Sequence, residues 1–131
     1  MLVPGIEGQT ECVVTEADTA AVLKSGTLQV FATPAMIALI EETAWKSVAG
    51  ELEEGCATVG TSLNIKHVSA TPVGMKVTCH TELTEVDGRR LVFAVVVSDE
   101  TGRVGEGTHE RFIIQSEKFQ MKADAKKCQK K

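Results

Sequence analysis

The sequence predicts an α+β protein in which an antiparallel sheet wraps around one long central helix. Three observations support this: one long segment with helical periodicity, four β-rich segments after it, and a strong turn signal between two of those segments. With 131 residues and 43% hydrophobic content, the chain is long enough for one domain and too short for two. We expect one domain over residues 1–131, with a frayed or helical tail over residues 119–131.

The long helix is predicted to begin at Thr33 and Pro34, since threonine is a favoured N-cap and proline is favoured at the first helical position. Ala35 to Ala49 contain no glycine or further proline before Gly50 ends the helix. At ~100° per residue, one side of this segment is apolar. That side comprises Met36, Ile37, Ile40, Ala44 and Val48. The helix is therefore expected to be buried.

Glu41 is the unusual residue of this helix. It lies on the flank of the apolar side, beside Ile37 and Val48, whereas Glu42 faces the solvent. A carboxylate in that position is partly desolvated, which is unfavourable unless another group pairs with it. Glu41 is therefore a candidate functional residue, and an ion pair with a basic residue of a strand is the structural alternative.

The rest of the chain is mostly strand-like. Before the helix, Glu11 to Thr15 is a candidate short strand, and Glu16 to Gln29 is a mixed polar segment that can form a lid or a loop. The strands predicted after the helix are Cys56 to Ser69, Met75 to Val86, Arg89 to Ser98 and Arg103 to Gln115. The Asp87-Gly88 pair predicts a hairpin turn, and the apolar run Val92 to Val97 predicts a central strand covered on both faces.

Charge and composition exclude several classes of partner. The formal charge is −4, with 18 acidic and 14 basic residues, so there is no overall attraction for nucleic acid. The first ten residues lack the basic and apolar regions of a signal peptide, and no run reaches the ~18 apolar residues of a membrane span. We therefore expect a cytoplasmic protein with neither nucleic acid nor membrane as partner.

The cysteines and histidines do not form a metal-binding pattern. The four cysteines include no Cys-x-x-Cys pair, and the three histidines include no His-x-x-x-His pair. The cysteines are Cys12, Cys56, Cys79 and Cys128. We expect reduced cysteines, no metal and no cofactor.

Three segments carry a resemblance to a known family. They are VFATPAMIALIEETA (Val30 to Ala44), IKHVSATPVG (Ile65 to Gly74) and GEGTHERF (Gly105 to Phe112). Together they closely resemble the fluoroacetyl-CoA thioesterase family, from about Val30 to Lys122. The resemblance implies a hot-dog fold and an acyl-CoA thioesterase that acts as a homodimer with a threonine, a glutamate and a histidine in its active site.

Residue by residue, the resemblance assigns these catalytic positions to Thr33, Glu41 and His67. Coenzyme A would then be part of the substrate rather than a separate cofactor. The resemblance is weakest before Val30, where the family's fluoroacetate-selective member has an aromatic-bearing lid. Glu16 to Gln29 contains no aromatic residue here, so the preferred acyl group stays open.

These residue types suit thioester hydrolysis. Glu41 can attack the carbonyl or activate a water, and His67 can transfer protons near neutral pH. Thr33 lies at a helix N-terminus, where free backbone N–H groups favour the developing oxyanion. Each residue also has a plain structural explanation: an N-cap for Thr33, an ion pair for Glu41 and a polar strand residue for His67.

The helix geometry predicts a shared site. Thr33 and Glu41 are separated by about 12 Å of helix rise, which is too far for both to contact one reacting carbon. We therefore expect the helix N-terminus of one subunit to face Glu41 of a second subunit in a homodimer, which can assemble further into a higher oligomer.

Three further residues are candidates for contacts with coenzyme A. His109 and Arg111 share one face of a strand, and Gly74 would allow a close approach to the backbone. The structural alternatives are an ion pair for Arg111 and a turn glycine after Pro72 for Gly74. Two other functions also stay open: a hot-dog hydratase or dehydratase acting on acyl thioesters, and a non-catalytic acyl-CoA-binding module.

Overall fold

A computed structural model describes residues 1–129 of the chain. The elements are β1 (Glu7–Val13), a 3-10 helix (Glu16–Asp18), α1 (Ala20–Leu23), α2 (Thr33–Ala49), β2 (Cys56–His67), β3 (Lys76–Asp87), β4 (Arg90–Asp99), β5 (Gly102–Gln115), α3 (Ser116–Asp124) and α4 (Lys126–Gln129). The strands form one antiparallel sheet in the order β1-β3-β4-β5-β2. The predicted α+β architecture is confirmed.

The core lies between α2 and the inner face of the sheet. The buried residues of α2 are Met36, Leu39, Ile40, Thr43, Ala44 and Val48. The buried residues of β4 are Leu91, Phe93, Val95 and Val97, and they alternate with half-exposed residues. This alternation is what a strand requires when one of its faces packs on a core. The predicted buried helix and the central position of β4 are both confirmed. The expected cover on both faces of β4 is wrong within residues 1–129, because only one face packs on the core.

The start of α2 differs from the prediction in one respect. Ala32 is the N-cap residue, and Thr33 is already the first residue of the helix. The Thr33 hydroxyl therefore does not cap the helix, and it makes a different hydrogen bond, described below. The end of the helix at Ala49, with Gly50 following, is as predicted.

Strand pairing gives two other elements bounds that differ from the predicted ones. β1 begins at Glu7, four residues earlier than expected, because it pairs with β3 along its whole length. In the hairpin of β3 and β4, Asp87 pairs with Arg90, so the loop residues are Gly88 and Arg89 instead of the predicted Asp87 and Gly88. Gly88 has φ +62, the left-handed conformation that a two-residue hairpin loop requires at its first position.

The C-terminal tail is helical as far as Gln129, and Lys130 and Lys131 lie outside the described residues. None of the helices within residues 1–129 has the length and apolar character needed to cross a bilayer.

Candidate active site

The start of α2 and the end of β2 bring two of the predicted residues together. The Thr33 Oγ1 and His67 Nδ1 atoms lie 2.8 Å apart, a hydrogen bond between side chains 34 positions apart in the chain. The backbone of Phe31 bonds to the Thr71 carbonyl, which fixes the segment before α2 against the loop after β2. The Phe31 ring also meets the His67 ring edge-on, at 6.4 Å between centroids. The imidazole is therefore held in one orientation.

The surroundings of His67 favour a neutral imidazole at physiological pH. Burial lowers its pKa, with the Ser69 backbone partly opposing this effect. Its Nε2 atom is buried and has no hydrogen-bond partner within the described residues. Since buried polar atoms normally have a partner, Nε2 is a candidate for contact with a group from outside the chain.

A cavity of about 290 Å³ adjoins the Thr33–His67 pair. Its lining consists of Ala20, Ser25, Val30, Phe31, Ala32, Thr33, His67, Val68, Ser69 and Ala70. The Glu16 to Gln29 segment thus contributes one wall through Ala20 and Ser25. It is not a plain loop, since it contains the 3-10 helix and α1, and a lid function stays a prediction.

Glu41 lies away from this pair and is bound to a buried arginine. Its Oε2 atom accepts a hydrogen bond from Arg111 Nη1 at 3.3 Å. The Arg111 side chain is only 6% exposed, whereas that of Glu41 is 39% exposed. Burial lowers the pKa of Arg111 and the Glu41 carboxylate opposes this effect. The ion pair expected as a structural alternative therefore exists, and it leaves part of the carboxylate accessible.

Arg111 is in turn fixed by three other atoms. Its Nε donates to Thr58 Oγ1 at 2.8 Å, and its Nη2 donates to the Thr58 carbonyl at 2.9 Å. Its Nη1 lies 3.1 Å from His109 Nε2. A guanidinium bonded along its whole edge has little freedom to move, so it holds Glu41 in one place.

The protonation of His109 follows from its partners. His109 is completely buried, and burial lowers its pKa. Its Nδ1 lies 2.9 Å from the Ser62 carbonyl, which can only accept a hydrogen bond, while Nε2 faces the donor Arg111. The imidazole is therefore neutral, with its proton on Nδ1.

Gly60 is a site residue that the sequence reasoning missed. A β-carbon at this position would collide with Glu41 Oε2 and would lie 3.3 Å from Arg111 Nη1. The register of β2 against β5 also shifts between Gly60 and Ser62, as at a β-bulge. A glycine inside a strand is a known signal for a bulge or a close approach, and it marks Gly60 in the sequence.

The structure thus places the predicted residues in two groups. Thr33 and His67 meet at one end of α2, and Glu41 lies near its middle with Arg111 and His109. Gly74 lies apart from both groups, in the turn before β3, where it has φ +94. Its N–H donates to the carbonyl of Val14, which follows β1. The proposed contacts of Gly74, His109 and Arg111 with coenzyme A stay predictions, and each residue has a structural role within the chain.

A five-stranded antiparallel sheet around one central helix, with polar residues along that helix, defines the hot-dog class of thioesterase-like proteins. The crystal structure of the fluoroacetyl-CoA-specific thioesterase FlK superimposes with a TM-score of 0.92 at 35% identity, covering 96% of this chain and 98% of that one. A thioesterase superfamily member from Thermus thermophilus gives a TM-score of 0.90 at 26% identity, covering 98% and 96%.

The sequence comparisons are more specific. The model of the family described as fluoroacetyl-CoA-specific thioesterase matches residues 14–117. The fluoroacetyl-CoA thioesterase of Streptantibioticus cattleyicolor is 42% identical over 98 residues, which cover 75% of this chain and 70% of that protein. The chain therefore belongs to the fluoroacetyl-CoA-specific thioesterase family. The resemblance seen in the sequence, the hot-dog fold and the thioesterase class of enzyme are confirmed.

Proposed function

We propose that this chain hydrolyses an acyl-CoA thioester to the free acid and coenzyme A at two equivalent sites of a homodimer. In each site, Thr33 and His67 of one subunit act with Glu41 of the other. The observation that carries this proposal is the Thr33–His67 hydrogen bond at one end of α2, with Glu41 fixed elsewhere on the same helix. Family membership supports the reaction class.

The two groups have little means of meeting within one chain. About 12 Å of helix rise separates Thr33 from Glu41, and a helix in a packed core does not bend to close such a gap. Glu41 is also held by Arg111, which is itself fixed by Thr58 and His109. A second subunit is the simplest source of the missing carboxylate for Thr33 and His67.

The edge of the sheet suggests how two chains pair. Among the strands of the described residues, β2 (Cys56–His67) is the last of the sheet and pairs with β5 on one side only. A long free strand edge is a template for pairing with another chain. If two copies of β2 pair antiparallel about a two-fold axis, the His67 end of one lies beside the Cys56 end of the other. That arrangement moves His67 towards Glu41 of the partner subunit.

Each residue then has a chemical task. Glu41 of the partner subunit attacks the thioester carbonyl or activates a water, and backbone N–H groups at the start of α2 stabilise the oxyanion. In the net reaction, a water oxygen bonds to the carbonyl carbon, the carbon–sulfur bond breaks, and the coenzyme A thiolate takes up a proton. Neutral His67 transfers the protons, and Thr33 orients its ring through Nδ1.

A thiol-release assay with a panel of short and medium acyl-CoAs tests the reaction. We expect free coenzyme A to appear with at least one substrate and with no added metal or cofactor. Binding without thiol release would favour the non-catalytic module. Conversion of enoyl-CoA or hydroxyacyl-CoA without thiol release would favour a hydratase or dehydratase.

Mixing two inactive variants tests the shared site. In a His67→Ala and Glu41→Gln heterodimer, one site has both changes and the other has neither, so the second site is intact. Random mixing of equal amounts gives about half heterodimers, so activity should return to about one quarter of the wild-type level. If each chain forms its own complete site, the mixture will stay inactive.

A further inference from the structure

We propose that the acyl chain of the substrate binds in an apolar cleft that begins beside the Arg111–Glu41 pair, and that the substrates carry apolar acyl groups longer than acetyl. This inference rests on the proposed function and deepens it, because it assigns a place and a chemical class to the acyl group.

The cleft lies between the second half of α2 and the start of β2 and has a volume of about 430 Å³. Its lining residues are Trp45, Ala49, Leu52, Cys56, Ala57, Thr58 and Arg111. Trp45 and Ala49 follow Glu41 at intervals of four residues and therefore lie along the same side of the helix. Arg111 both lines the cleft and holds the Glu41 carboxylate. The cleft therefore extends away from the position of the reacting group.

The charged group and the threonine hydroxyl of this lining already have partners. Arg111 is the only charged residue among those that line the cleft, and the Glu41 carboxylate neutralises it. The Thr58 hydroxyl and carbonyl both accept hydrogen bonds from Arg111. A phosphate or a second carboxylate would find no unpaired cation among these lining residues, whereas an apolar chain needs none. Trp45 is 44% exposed, and an acyl chain would cover its apolar surface.

The other cleft of the site has a different character. The cavity beside Thr33 and His67 is smaller, about 290 Å³, and includes the hydroxyl-bearing residues Ser25 and Ser69. Those hydroxyls can hydrogen-bond the amides of the pantetheine arm, and the apolar residues of the same lining can pack against its methylene groups. If the carbonyl lies between the two clefts and the pantetheine arm occupies the one beside Thr33 and His67, the acyl chain occupies the cleft along Trp45 and Ala49.

Binding and turnover of a chain-length series test this assignment. We would measure Kd for straight-chain acyl-CoAs from C2 to C12 with the Glu41→Gln variant, and kcat/KM with the wild type. We expect affinity to rise about fourfold for each methylene added until the cleft is filled. Ala49→Phe, which narrows the cleft from an exposed helix position, should lower the preference for long chains over acetyl by at least about tenfold. Ala123→Phe on α3, outside the cleft, should change nothing.

Affinity that does not vary with chain length, or a chain-length preference that is the same in Ala49→Phe, would overturn the assignment. Failure of the proposed function is a separate result, because it would abolish thiol release in the wild type while the chain-length dependence of binding remained.

Discussion

The start and the middle of α2 differ in how their polar side chains are hydrogen-bonded. At the start of the helix, Thr33 is exposed, and His67 has one hydrogen-bonded nitrogen and one that has no partner among residues 1–129. Near the middle, Glu41 is bound to Arg111, and every nitrogen of the guanidinium has a partner in the chain. The first region retains the capacity to transfer a proton. The second holds a negative charge in a fixed position.

Energetics explain why the second region is so completely bonded. A buried arginine is tolerated only when it is paired and hydrogen-bonded, since leaving one such charge unpaired costs about 3–5 kcal/mol. Glu41 therefore contributes to stability as well as to the proposed chemistry, whereas the Thr33–His67 pair has little stabilising role. Substitutions in the two regions should separate these contributions.

The largest effect is expected from Glu41→Gln. The amide keeps an oxygen acceptor for Arg111 but loses the charge and the nucleophile, so kcat should fall by about 10³-fold or more. The free energy of unfolding should decrease by about 1–3 kcal/mol. Glu42→Gln is the matched control, because Glu42 pairs only with exposed Lys46. Steady-state kinetics and urea unfolding measure both effects, and a near-normal kcat would exclude Glu41 from the chemistry.

His67→Ala should lower kcat by about 10²–10³-fold, because proton transfer by a positioned side chain contributes that much. The unfolding free energy should change little, since His67 is only half-buried and Thr33 is exposed. His80→Ala, on an exposed position of β3, is the control. If both histidine variants behave alike, His67 has no catalytic role.

Gly60→Ala tests whether the position of Glu41 matters as well as its charge. The new methyl group would displace the Glu41 carboxylate, which is the end of a flexible side chain, so the fold should tolerate the change. A displacement of about 1 Å should lower kcat/KM by about 10²-fold. Gly50→Ala, where a β-carbon meets open space, should have full activity. Equal activity in the two variants would show that Glu41 needs no fixed position.

The smallest expected effect is a dependence of stability on pH. Burial lowers the pKa of both His67 and His109 in the folded chain. The unfolded chain therefore takes up protons first, near its ordinary histidine pKa of about 6.5, and Tm should fall as the pH decreases from 6.5 to 5. His109→Gln retains an acceptor for Arg111 and a donor for Ser62, so Tm should depend less on pH in this range. An unchanged pH dependence in that variant would mean that His109 does not titrate on unfolding.

The main elements of the fold could be predicted from the sequence because their signals are local. The apolar periodicity of Ala35 to Ala49 and the glycine after it predict the helix, and the apolar run Val92 to Val97 predicts the central strand. The signals were weaker where pairing decides the outcome. β1 has few apolar residues, so its start at Glu7 depends on β3, and only the pairing of Asp87 with Arg90 places Gly88 and Arg89 in the loop.

By itself, the sequence determined the long helix, the four strands after it and the family, and it predicted Thr33, Glu41 and His67 as catalytic residues. Only the tertiary structure decided what those residues contact. The Thr33 hydroxyl forms a hydrogen bond with His67 instead of capping the helix N-terminus. Arg111 bonds to Glu41, which is 70 positions away in the chain. Helices and strands follow from local periodicity, whereas hydrogen bonds between distant side chains depend on the register and packing of the whole sheet.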